Sequence, residues 1–220
     1  MRDKKIWIFN AGNAFDGNPK WLFMYIVNYR KDITPYWFCY TEETRNYIRK
    51  LGYQAFLFKS KMAEKIGSQA GVYVVNQKKE VFQDYLKGIT VLNLWHGVGC
   101  KTVEKGVTYG FLNERIIKKH IINMDCYQNY QLFLVTSPLM EKHFIKQCDL
   151  AEDKIIRAGY PCCFYPGKIK TYDHDILKQK KLPEDTKIAV YAPTYRDASA
   201  TNFFSQAIPD MEKLVDVLEK

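Results

Sequence analysis

Four short segments carry residue types that could do chemistry. The strongest is Leu94-Trp95-His96-Gly97-Val98-Gly99-Cys100-Lys101. A histidine at the end of an apolar run titrates near neutrality and can take a proton from a hydroxyl. Gly97 and Gly99 would expose backbone amides beside it, and Lys101 would supply a point charge for a phosphate. The spacing, and the missing Gly-Lys-Ser/Thr ending, separate this segment from a P-loop. A structural histidine in a tight turn is the plainer account, and the two glycines and the lysine weigh against it.

Asp16-Gly17-Asn18-Pro19-Lys20 comes second. Gly17 permits close backbone approach, and a helix start beyond it would offer free N–H groups to an anion. From local sequence alone, a plain strand-to-helix turn is the stronger account. Ala158-Gly159-Tyr160-Pro161 is by itself a turn. In Tyr191-Ala192-Pro193-Thr194-Tyr195-Arg196-Asp197, Arg196 could hold a diphosphate bidentately. A pairing of Arg196 with Asp197 explains that segment equally well. His120, His143 and His174 read as surface or helix residues.

The elements that must position these segments follow from short apolar runs alternating with mixed stretches. Strands are expected at Ile6–Phe9, Tyr36–Tyr40, Ala55–Phe58, Val72–Val75, Val91–Trp95, Leu132–Thr136 and Lys154–Ala158. Helices are expected from about Pro19 to Tyr29, from Thr41 as N-cap to Leu51 with Gly52 ending it, over Met62–Ile66, and from Ser137-Pro138 to Cys148. Continuous apolar strands alternating with helices describe an α/β protein with a parallel sheet covered on both faces. Ligands in such sheets bind at the carboxyl ends of the strands, where the polar segments stand. Residues 165–186 are charged and apolar-poor and read as a linker. A strand at Ile188–Tyr191 and a helix from about Pro209 to Leu218 follow. Some 35 residues of that kind cannot bury a core of their own, so this tail should be the least stable part of the chain.

Composition narrows the classes. Of 220 residues, 47% are hydrophobic and 26% charged, which is ordinary globular usage and excludes disorder, collagen and coiled coil. No apolar run approaches the ~18 residues of a membrane span, and the amino terminus lacks the ~7–15 apolar residues of a signal peptide. Lys and Arg number 33 against 24 Asp and Glu, a net charge of +9. That charge suits a phosphorylated substrate, an anionic membrane surface or simply a lysine-rich exterior. No RNP-like run, zinc-finger spacing or arginine-rich arm accompanies it, so no nucleic acid partner is expected. Cys39, Cys100, Cys126, Cys148, Cys162 and Cys163 form no Cys-x-x-Cys pair and have no histidine at ligand spacing. They are expected as free thiols, with no metal.

Taken in order, DGNPKWLFMYI, NLWHGVGCK, the Ser-Pro helix leading to KIIRAGYP, and IAVYAPTYRD resemble the CDP-glycerol glycerophosphotransferase family, the teichoic-acid and capsule polymerases and primases. The resemblance runs from about Ile6 to Asp197. It implies a GT-B-like architecture of two Rossmann-like domains facing each other across a cleft. Residues 1–164 would be the acceptor-side domain, 165–186 a linker, and 187–220 the start of the donor-binding domain. The resemblance makes His96 the candidate base and places Asn18, Lys20, Gly97, Gly99 and Lys101 on the acceptor and its phosphates. Thr194 and Arg196 would lie at the donor diphosphate. The pattern departs after the GYP turn, where Cys162, Cys163 and Phe164 replace an Arg and a following Asp. The family's second catalytic histidine lies beyond Lys220.

The implied reaction is attack of an acceptor hydroxyl on the β-phosphorus of CDP-glycerol, or of a related CDP-polyol, releasing CMP. No cofactor is implied. The acceptor would be a lipid-linked glycan or a polyol-phosphate chain in cell-wall or capsule synthesis. The expected location is cytoplasmic, peripheral at the inner face of the plasma membrane. Arg115, Lys118, Lys119 and His120, interleaved with Phe111, Leu112, Ile116, Ile117, Ile121 and Ile122, form the candidate membrane face. An ordinary helix packing that stripe into the core is the competing account. The rival functions are another GT-B nucleotide-sugar transferase and a non-catalytic half-fold that binds polyanionic glycan.

Overall fold

The computed structural model describes residues 1–76, 83–99, 103, 132–148, 150–166, 176–192 and 208–219. The chain divides into two units, Met1–Lys170 and Thr171–Lys220.

The first unit is built on seven strands: β1 (Asp3–Phe9), β2 (Thr34–Cys39), β3 (Ala55–Leu57), β4 (Ala70–Val75), β5 (Thr90–Asn93), β6 (Leu132–Val135) and β7 (Ile155–Arg157). They form one sheet in the order β3-β2-β1-β4-β5-β6-β7, and every pairing is parallel. The helices are α1 (Gly17–Tyr29), α2 (Glu42–Lys50), α3 (Lys61–Gln69), α4 (Pro138–Cys148) and α5 (Pro161–Phe164). The strand order reverses between β1 and β4. In an open parallel sheet the crevice outside the carboxyl ends at such a switch point is the usual ligand site.

Successive strand residues face opposite sides and are buried on both. Ile8, Phe38, Tyr73 and Val75 join Phe133 and Phe144 in one cluster. Their neighbours Phe9, Trp37 and Val74 join Phe23, Phe15 and Leu134 in the other. This two-sided burial is why the strands read as continuous apolar runs. Thr41 caps α2 by accepting from the Thr44 amide, and Gly52 at φ +86° ends it, both as the sequence indicates. Arg2 fastens the other end of the sheet. Its guanidinium donates to the carbonyls of Gly67, Ala70, Tyr85 and Lys87 at 2.6–2.9 Å.

In the second unit the described elements are α6 (Ile176–Lys180) and α7 (Met211–Leu218). The strand expected at Ile188–Tyr191 is not formed. The segment is irregular, with Ile188, Val190 and Tyr191 exposed. A strand needs a neighbour to take its backbone hydrogen bonds, and among the described residues none pairs with it. Residues 165–186, expected as linker, contain the short helix α6. No helix of the described residues is long and apolar enough to cross a membrane. The candidate membrane face, residues 111–122, lies outside the described residues.

Candidate active site at the switch point

Asparagines gather at the carboxyl ends of the strands. Asn10 follows β1, Asn76 follows β4, Asn93 ends β5, and Asn18 stands in the first turn of α1. All are at most 3% exposed. A buried amide ordinarily finds partners. The Asn18 and Asn93 side chains find the backbone leading to His96, while Asn76 Oδ1 and Asn93 Nδ2 have none among the described residues.

β5 ends at Asn93, two residues before the expected Trp95, because the chain turns there. Trp95 adopts φ +53°, a left-handed conformation that costs a bulky residue roughly 1–2 kcal/mol. Two asparagines hold it. The Trp95 amide donates to Asn93 Oδ1 at 2.8 Å, and the Trp95 carbonyl accepts from Asn18 Nδ2 at 2.9 Å. Asn18 Nδ2 also reaches the Leu94 carbonyl at 3.3 Å. The Trp95 ring packs against Phe133 and Phe144, so the turn is anchored through side chain and backbone together.

This turn presents His96 at the surface. Its ring stacks on Trp95 with centroids 4.3 Å apart, and Nδ1 lies 2.8 Å from the Asn76 carbonyl. A carbonyl oxygen only accepts, so Nδ1 carries the proton. The neutral ring then has its lone pair on Nε2, which is the form a general base needs. Gly17, at φ +60°, lets the loop before α1 pass close to Asn76. A Cβ there would lie 2.8 Å from Asn76 Nδ2.

The loop after His96 rests on α4 and on the turn before α5. The Tyr160 hydroxyl donates to the Gly97 carbonyl at 2.5 Å, and the Gly99 amide donates to Met140 Sδ at 3.1 Å. Gly99 has no room for a side chain, since a Cβ would collide with the His143 ring. His143, read as an ordinary helix residue, thus forms the floor of this loop. Its Nε2 is buried with no partner among the described residues.

Lys20, one turn further along α1, is half-buried, with Nζ 5.2 Å from the Trp21 ring centre and 5.6 Å from that of Phe15. Burial lowers its pKa, and the charge of Asp16 opposes that shift. Burial likewise raises the Asp16 carboxyl, and Lys20 opposes it.

The family model for CDP-Glycerol:Poly(glycerophosphate) glycerophosphotransferase matches residues 1–220. The chain belongs to this family. Among solved structures, the wall teichoic acid polymerase TagF is similar at TM-score 0.67 and 18% identity, covering 98% of this chain and 54% of that one. A histidine-to-asparagine variant of TagF gives 0.70 and 17% identity, over 100% of this chain and 55% of that one. The same variant soaked with CDPG for 30 minutes gives 0.69 and 19%, over 98% and 53%. At such identities the likeness shows the fold, a Rossmann-like parallel sheet with flanking helices. The chain spans about half the length of these structures. Curated protein sequences gave no significant match.

Within this glycerophosphotransferase-family chain, the structure brings Asn18, His96, Gly97 and Gly99 together around one turn. Asn18, expected on acceptor or phosphate, spends its amide on Leu94 and Trp95 and accepts from the Cys162 amide at 3.4 Å. The Gly99 amide, expected to face a phosphate, is taken by Met140. Both therefore build the loop. Lys20 contacts Phe15 and Trp21, and Lys101, Thr194 and Arg196 lie outside the described residues. Sequence reasoning missed Asn76 and Asn93, and it read Tyr160 only as part of a turn and His143 only as a helix residue. IWIFN and VYVVN each end an apolar run on asparagine, which marks the position of Asn76 but not its role, whereas Asn93 is followed by Leu94 and Trp95 and stands inside its run.

Proposed function

We propose that this chain forms the acceptor-side half of a transferase that moves glycerol phosphate, or a related polyol phosphate, from a CDP-linked donor to an acceptor hydroxyl. The reading rests on family membership for the reaction class and on one geometric observation for the base. His96 is exposed and its Nδ1 is held by the Asn76 carbonyl, which leaves the lone pair on Nε2 to take the proton.

His96 Nε2 accepts the proton of the acceptor hydroxyl as its oxygen attacks the β-phosphorus, and CMP departs with the electrons of the broken P–O bond. The imidazolium so formed keeps its Nδ1–H bond to Asn76. It also gains from the face of the Trp95 ring, whose π-electrons favour a cation. Lys101, Thr194 and Arg196 are proposed to meet the phosphates, as the resemblance implies, where cations and donors stabilise developing charge. Lys20 is the other proposed phosphate contact. The net charge of +9 suits a polyanionic product and an anionic leaflet. The acceptor is proposed to be a lipid-linked glycan or a growing polyol-phosphate chain.

The test is His96→Gln in the complete enzyme, assayed for transfer from CDP-glycerol to a lipid-like acceptor. General bases contribute roughly 10²–10⁴-fold, and a loss in that range is expected. Transfer within a few-fold of wild type would refute the assignment.

A further inference from the structure

Cys162 and Cys163 sit side by side on α5, with their sulfurs 3.8 Å apart. Both are exposed free thiols, whereas the described cysteines Cys39 and Cys148 are buried. We propose that this pair is a dithiol modification site for trivalent thiophilic centres, of which an organoarsenical is the simplest.

Two other fates of a thiol pair fit less well. A disulfide between chain neighbours must close over Cα atoms about 3.8 Å apart. That is shorter than the ~4.4–6.8 Å such bonds ordinarily span, so the bond would be strained and easily reduced. A zinc ion takes four ligands. Among the described residues no group of three or more His, Cys, Asp or Glu side chains is placed to hold a metal.

A trivalent arsenical needs only two sulfurs, because its third valence holds the organic group. Two bonds near ~2.3 Å, the length of a metal thiolate, reach across about 3.8 Å at a tetrahedral angle. A narrower angle needs only side-chain rotation, so α5 can stay folded. In the capture of an arsine oxide, two S–H bonds and the arsenic–oxygen bond break. Two As–S bonds form, and the oxygen leaves as water with both thiol protons. Nothing is oxidised or reduced.

Desolvation raises the Cys162 thiol above its ordinary pKa, and its hydrogen bond with Cys163 adds to this. Alkylation of that sulfur alone is thereby slowed, since the thiolate is the nucleophile. Two-point capture keeps the advantage of a chelate. The Cys162 amide donates to Asn18, and Tyr160 two residues earlier holds Gly97, so an adduct stands at the rim of the His96 loop.

The test treats the reduced full chain with phenylarsine oxide and reads adducts by intact-protein mass spectrometry. It does not depend on the proposed transfer reaction. Wild type is expected to take one phenylarsenic group at this pair, removed by 2,3-dimercaptopropanol and resistant to excess monothiol. Cys162→Ser and Cys163→Ser, both at exposed positions, are each expected to lose it. No such adduct in wild type, or its retention in either variant, would overturn the proposal.

Discussion

Asn18 and Trp95, 77 residues apart in the chain, are joined by a 2.9 Å hydrogen bond from the asparagine amide to the tryptophan carbonyl. Through it the first turn of α1 holds the left-handed residue that precedes His96. The bond links the GNPK segment to the LWHG segment, and it makes Asn18 a positioning residue for the loop.

Asn18→Ala is expected to leave the Leu94 and Trp95 carbonyls buried and unpaired, at about 1–3 kcal/mol. Asn18→Asp should cost more, because a carboxylate would face those same two oxygens. Urea denaturation of the two variants checks the order, and a more stable Asp variant would contradict it.

Gly17→Ala places a Cβ against Asn76 and a side chain in the left-handed region. The backbone alone should cost roughly 1–2 kcal/mol. The clash also pushes on the residue whose carbonyl holds His96 Nδ1. A lowered thermal midpoint is the expected result, and an unchanged midpoint would show that the turn accepts a side chain.

Arg2→Ala removes four donated hydrogen bonds that tie the amino terminus to the chain around Gly67–Ala70 and Tyr85–Lys87. Charged hydrogen bonds contribute ~1.5–3 kcal/mol each when fully formed. The partial exposure of Arg2 keeps the expected total near ~2–3 kcal/mol. Arg2→Lys should recover little, since a single ammonium cannot fan out to four carbonyls. Chemical denaturation of the two variants measures both effects, and full recovery by lysine would count against the fan.

Much of the sheet was legible in the sequence because both faces are buried. Runs such as IWIF, VYVV and LFLV have few other folds available to them. The end of β5 was not legible. Leu94 and Trp95 look like further strand residues, and it takes the hydrogen bonds of Asn18 and Asn93 to the Trp95 backbone, with the packing of its ring, to hold the turn there. Asn76 escaped notice for a related reason: it acts through its main-chain oxygen, which any residue would supply. Ile188–Tyr191 has strand-forming residues, yet propensity alone gives no strand, and no strand among the described residues pairs with it. His143 gave no local clue, since its role arises from the missing Cβ of Gly99.

The Arg157 guanidinium donates two hydrogen bonds to the Glu141 carboxylate, at 2.7 and 2.5 Å, and holds that carboxyl below its ordinary pKa. A depressed carboxyl stabilises the fold above its unfolded pKa, ~4.3, and loses that contribution as pH falls through the lower folded value. The stability gap between wild type and Glu141→Gln should therefore be full at neutral pH and shrink below about pH 4. Denaturation midpoints across pH 2.5–7 test this, and a gap that widens in acid would reverse the assignment.

The tautomer of His96 tests the account most directly. Nitrogen-15 NMR of the histidine-labelled chain, at a pH where the ring is neutral, distinguishes a protonated nitrogen from a bare one. The hydrogen bond to Asn76 predicts a proton on Nδ1 and a lone pair on Nε2 for His96. A proton on Nε2 would contradict the account, because the nitrogen exposed to a substrate would then have no lone pair to accept one.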